Sequence, residues 1–115
     1  MHSILRVEHK DTKRGPYIGS SSYDKVKEIT DRHCEDLDIY PLPEADIGIE
    51  RDPHCYELCG FKDVKQLTNW FTKEELAIFK EEGFIVKRLS LKNVEVTEVG
   101  ERQILFCYKP NFPAK

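Results

Sequence analysis

No apolar run in this chain of 115 residues approaches the roughly eighteen needed for a membrane-spanning helix. The opening MHSILRVEHK lacks the apolar centre of a signal peptide, so the expected location is a reducing cytoplasm. Positive charge is not in surplus either. A net charge of −3 and a pI near 5.8 argue against a nucleic-acid partner, which requires a basic excess to displace counterions from phosphates. A glycine-rich phosphate loop, a G-x-S-x-G elbow and an H-E-x-x-H helix are all missing. So are internal repeats and low-complexity tracts. These absences remove membrane proteins, non-specific nucleic-acid binders and the commonest hydrolases.

What is present is an ordinary globular composition, 34% charged and 39% hydrophobic, in a length expected to form a single domain over residues 1–115. Four cysteines in a reducing compartment read as free thiols or metal ligands, not as two disulfides. Cys34, His54, Cys55 and Cys59 could assemble a zinc site. Such sites are usually built from two short chelating pairs, and only Cys55-x-x-x-Cys59 is one. The expectation is therefore no metal, with Cys55 and Cys59 as small buried side chains.

The firmest local signals lie between Cys59 and Val86. Asp63 is a good N-cap, and Val64, Leu67, Trp70 and Phe71 recur at helical spacing. Thr72 and Glu75 form a capping-box pattern that starts a second helix with Leu76, Ile78 and Phe79 on its apolar face. Gly83 stands where a left-handed C-cap belongs, and Phe84-Ile85-Val86 leaves as a strand.

Toward the N-terminus, Ser3 to His9 alternates as a strand, with Leu5 and Val7 inward and Arg6 and Glu8 facing solvent or a cleft. Lys10 to Gly19 reads as a polar loop, and Ser20 to Ser22 offer N-caps for a helix reaching about His33. Residues 34–53 carry the acids Glu35, Asp36, Asp38, Glu44, Asp46 and Glu50 between prolines, without the spacing or central glycine of a calcium loop. This reads as an ordered, irregular, acidic loop, a kind of segment that is often functional. Strands follow at 84–91, 94–99 and 102–108, the last two joined at Gly100-Glu101, and 109–115 is a C-terminal tail. The order predicts an α+β fold, a mixed or antiparallel sheet of about four strands covered by about three helices.

If the strands near Leu5 and Ile104 lie side by side, Arg6, Glu8, Glu101 and Gln103 converge on one cleft. Arginine suits a phosphate or carboxylate because its planar donors match two oxygens. Ser20 and Ser22 at a helix start would add donors for an anion. The simpler arrangement is an exposed strand face with cross-strand ion pairs.

Four segments, ILRVEHKDTKRGPY, HCYELCGFKDVKQLTNWF, EEGFIVKRL and GERQILFCYK, resemble a family of small phage and prophage proteins. That resemblance implies a mobile-element origin, a host-cell cytoplasm and little chemistry. A looser resemblance, through Leu5-Arg6-Val7 and Glu101-x-Gln103, is to the ADP-ribosyltransferase superfamily. It implies a cleft for NAD or an ADP-ribose-type nucleotide, with Arg6 on a phosphate, Glu101 and Gln103 at the nicotinamide ribose as the catalytic pair, and Tyr17 or Tyr40 stacked on a ring. The superfamily's second glutamate is replaced by Gln103, which removes the carboxylate that supports transfer. The competing expectation is a non-enzymatic phage protein that binds and inhibits a host protein through the acidic loop.

Overall fold

The computed structural model describes residues 2–19, 23–54 and 56–109. Among the described residues five strands, β1 (Ser3–His9), β2 (Leu58–Gly60), β3 (Phe84–Ser90), β4 (Val94–Val99) and β5 (Ile104–Tyr108), form two antiparallel sheets, β1–β3 and β2–β5–β4. The α-helices among the described residues are α1 (Pro16–Gly19), α2 (Asp24–Cys34), α3 (Val64–Trp70) and α4 (Lys73–Glu81). The α+β class read from the sequence is the one observed.

Both central helix starts are built as their residues dictate. The Asp63 side chain accepts from Gln66 N at 2.8 Å, and Thr72 and Glu75 satisfy each other's backbone N–H groups as a capping box. Gly83 ends α4 at φ +92°, a conformation that a Cβ disfavours. Its hydrogen side also matters, because a Cβ there would stand 2.7 Å from His9 Nε2.

The two sheets meet where Leu5 and Phe61 exchange backbone hydrogen bonds, both 2.8 Å. The chain just after β2 therefore lies between β1 and the β5 sheet, and β1 and β5 are not neighbours. The side-by-side arrangement expected for them is corrected by this intervening strand. β2 itself was not anticipated. Three residues including a glycine carry no alternation pattern, and Gly60 serves close approach, since a Cβ would lie 2.8 Å from Leu5 O.

β1 is buried on both faces. Leu5 and Val7 enter a cluster with Val26, Ile29, Phe61, Leu67, Trp70, Phe71, Phe79 and Phe84, on the helical side. Ile4 enters a second cluster with Leu89, Val94, Ile104 and Phe106. Arg6 and Glu8 share that second direction, so they are buried instead of facing solvent. The guanidinium sits over the Phe106 ring, 6.0 Å from its centroid, and pairs with Glu8 at 3.2 Å.

Two smaller corrections follow. Lys10 to Gly19 is not all loop, because α1 turns at Pro16, a residue pre-set for a helix start. Val64, placed on the apolar stripe of α3, is 55% exposed at its N-terminal end. The 34–53 segment is ordered and irregular as read, with a 3-10 turn at Pro43–Ala45. It packs down only in part: Asp46 and Ile49 are buried, whereas Leu37, Ile39, Leu42 and Ile47 are exposed.

Candidate functional site

A groove of about 370 Å³ is lined by the acidic loop together with β1, β2, α1 and the end of α3. That volume is in the range of small-ligand and side-chain pockets. Its floor is Arg6 and Val7 from β1 with Phe61. One wall is Pro16 and Tyr17 of α1 with Trp70 and Phe71 at the end of α3. The other is Leu37, Tyr40, Pro41 and Leu42 from the loop, facing Leu58 and Cys59 of β2. The lining is overwhelmingly apolar and aromatic.

A hydrogen-bond chain fixes the aromatic wall. Trp70 Nε1 donates to the Tyr17 hydroxyl at 2.6 Å, and the same hydroxyl lies 2.6 Å from His33 Nδ1. Tryptophan can only donate, so the tyrosine proton goes to Nδ1. His33 Nε2 then carries the remaining proton and donates it to Glu75 Oε2, 3.0 Å away. Burial lowers the His33 pKa, an effect Glu75 only partly opposes, which keeps the imidazole neutral and this pattern intact. Burial also raises the Tyr17 phenol. The residue is 42% exposed, but its hydroxyl end is turned inward and dehydrated. Tyr40 stacks on His33 at 3.8 Å and 7°, tying the loop to the same unit.

The floor holds one cation. Arg6 Nε bonds Glu8, and Nη1 donates to Cys59 O at 3.0 Å. Nη2 has no hydrogen-bond partner among the described residues. Every fully buried polar side-chain atom among them has one, so Nη2 keeps some access to solvent; it lies beside Gly15, which lines the groove with Arg6. Cys59, accessible on one side, has its thiol pushed up to about 11 by desolvation of the wall, which leaves it a poor nucleophile at neutral pH.

Two clamps hold the loop in place. Asp46 accepts from Arg102 N and Gln103 N, at 3.2 and 3.1 Å, while Gln103 Nε2 returns to Pro41 O at 2.8 Å. Further along, Arg51 grips Glu57 with two bonds of 2.8 Å and Glu98 with a third. Thr97 also donates to Glu57. The Arg51 fork holds the Glu57 carboxyl far below its ordinary pKa.

Of the site residues expected from the sequence, Arg6, Tyr17, Tyr40 and Gln103 come together around this groove. Glu8 lies behind Arg6 as its partner. Glu101 is exposed and opens instead on a shallow neighbouring hollow with Gln66, Asn69, Trp70 and Arg102. Ser20 and Ser22 lie outside the described residues, as does Cys55. Among the described residues no three His, Cys, Asp or Glu side chains are grouped to hold a metal ion. Sequence reasoning missed His33, Glu75, Arg51 and Glu57. His33 had one usable signal, falling four residues after Ile29 on the buried face of α2. Glu75 was legible only as a helix cap, because His33 reaches it from a distant segment, and Arg51 and Glu57 pair across six residues of irregular chain that carry no periodic pattern.

Profile comparison places residues 1–110 in the family described as Bacteriophage T4 Y00F protein. The chain belongs to that family. Membership covers nearly the full length, so groove, loop and both sheets all fall within the matched region. No match was found among curated proteins, and none among solved structures. The phage resemblance noted from the sequence is thus supported, while the ADP-ribosyltransferase resemblance gains nothing from these comparisons.

Proposed function

We infer that this phage protein is a non-enzymatic binding module that docks a host protein in the groove bordered by its acidic loop. The observation carrying this reading is the position of Leu37 and Leu42. They are 49% and 52% exposed, yet they line the groove wall, so an apolar surface runs out of the groove onto the rim. An apolar centre with a charged surround is the anatomy of a protein contact patch. The relay behind the groove stiffens the wall and offers no reactive group: the phenol is raised and hydrogen-bonded, and the imidazole is occupied at both nitrogens. Among the described residues no helix is long and apolar enough to cross a membrane.

A second reading is the NAD or ADP-ribose cleft. The open Arg6 Nη2 and the aromatic wall of Tyr17, Tyr40 and Trp70 favour it. Electrostatics weighs against it, because Glu8 already offsets the Arg6 charge at 3.2 Å and the bordering loop is acidic. A pyrophosphate entering there meets repulsion with little compensation. Thermal stability with and without NAD tests this reading, since a nucleotide binder gains stability by mass action.

The docking reading is tested by placing a photo-crosslinking residue at Leu37, Leu42 or, as control, exposed Val64, which does not line the groove. In infected cells the two loop positions should trap the same host protein and the control should not. Equal trapping at Val64, or none at either loop position, would overturn it.

A further inference from the structure

The groove also specifies the chemistry of what enters it, an inference that rests on the docking reading above. We propose that the occupant is a tyrosine side chain of the partner, flanked in its sequence by lysines or arginines. Two independent observations carry this. The first is Arg6, only 7% exposed, which lines the groove with its Nη2 beside Gly15 and without an acceptor among the described residues. An aromatic ring suits the walls of Tyr17, Tyr40 and Trp70. A phenolic oxygen at its tip would supply the acceptor this donor lacks. An anionic tip is not required, because Glu8 already balances the guanidinium.

The second is the charge of the loop that borders the groove on one side. Residues 34–53 carry seven acids against one arginine. Asp46 is buried and Arg51 is occupied by Glu57 and Glu98, so the side chains left facing solvent are Glu35, Asp36, Asp38, Glu44, Glu50 and Asp52. The loop side of the groove is thus acidic, and an acidic border selects a basic flank and repels like charge. The apolar floor provides the anchor energy, the acidic border chooses the flanks, and Arg6 distinguishes tyrosine from phenylalanine.

The single tryptophan makes this measurable without a label. Trp70 lines the groove, so its fluorescence reports an occupant. The probes are three short capped peptides: tyrosine between paired lysines, phenylalanine between paired lysines, and tyrosine between paired glutamates. The lysine-flanked tyrosine peptide should shift Trp70 emission, and the phenylalanine peptide should bind about tenfold more weakly, the value of one hydrogen bond to a charged donor. The glutamate-flanked peptide should not bind. In Arg6→Lys, which keeps a cation beside Glu8 but removes Nη2, the preference for tyrosine should disappear. Equal binding of the phenylalanine peptide, or binding of the glutamate-flanked one, overturns the proposal while leaving groove docking standing. Silence from all three at millimolar concentration overturns both.

Discussion

The carboxylate of Asp46 occupies the space that a side chain on residue 100 would need. A Cβ built on Gly100 would come within 2.8 Å of Asp46 Cγ and, on its other side, within 2.8 Å of Gln103 O. Glycine at this turn is what lets the loop descend and cap the N–H groups of Arg102 and Gln103. The groove wall at Tyr40 to Leu42 depends on that docking, through the Gln103 bond to Pro41.

Gly100→Ala should therefore cost about 1–3 kcal/mol in a denaturant melt, the penalty of leaving buried hydrogen-bonding groups unpaired. Amide hydrogen exchange should show Arg102 and Gln103 losing protection first. A neutral effect on both would mean that the loop is held elsewhere.

Gly83→Ala should be worse than a simple left-handed strain of about 1–2 kcal/mol. The added methyl group also strikes the His9 ring, which accepts Asp11 N and Thr12 N at Nδ1 and lies 2.9 Å from the Tyr23 hydroxyl at Nε2. Loss of stability confined to the backbone term would show that His9 can move aside.

Trp70→Ala should cost about 3–5 kcal/mol, the usual range for deleting a buried aromatic. It removes a side chain that is 7% exposed and packs on Phe61 and Tyr40. Trp70→Phe should recover most of this and lose only the bond to Tyr17. A phenylalanine variant as unstable as the alanine one would mean that the hydrogen bond, not the packing, holds this wall.

The helix pair around these residues was legible from the sequence because every determinant is local: Asp63, Thr72, Glu75 and Gly83 act on neighbours within one turn. The α+β order and the irregular acidic loop were legible for the same reason. Arg6 and Glu8 were not. Alternation places them on the polar side of β1, but whether a second layer covers that side depends on Ile104 and Phe106, far away in the chain. The groove was half legible. Arg6, Tyr17, Tyr40 and Gln103 were named for it, yet the segment that forms part of its wall, β2, is too short to carry a pattern, and Glu101 lies in a turn that opens on the neighbouring hollow.

Acid should destabilise the fold in two stages. The His33 pKa is lowered below its ordinary 6.5, so the unfolded chain binds the extra proton first. Its contribution is complete above about pH 6.5 and is lost as pH falls toward the folded pKa. Glu57 is held below its ordinary 4.5 by Arg51, so its contribution is complete above that value and disappears further down. Melts across this range should lose the upper stage in His33→Asn and the lower stage in Glu57→Gln. A single transition unaffected by either change would remove both assignments.

The occupant proposed for the groove is an apolar, cation-flanked segment and not an anionic nucleotide. The indole N–H of Trp70 gives the one tryptophan side-chain resonance of the chain, and it donates to Tyr17 at the groove wall. Its position in a proton–nitrogen NMR spectrum, followed during separate titrations with the lysine-flanked tyrosine peptide and with NAD, is the most direct measurement. The resonance should move and saturate with the peptide and stay in place with millimolar NAD. Movement with NAD and none with the peptide would contradict the proposed occupant.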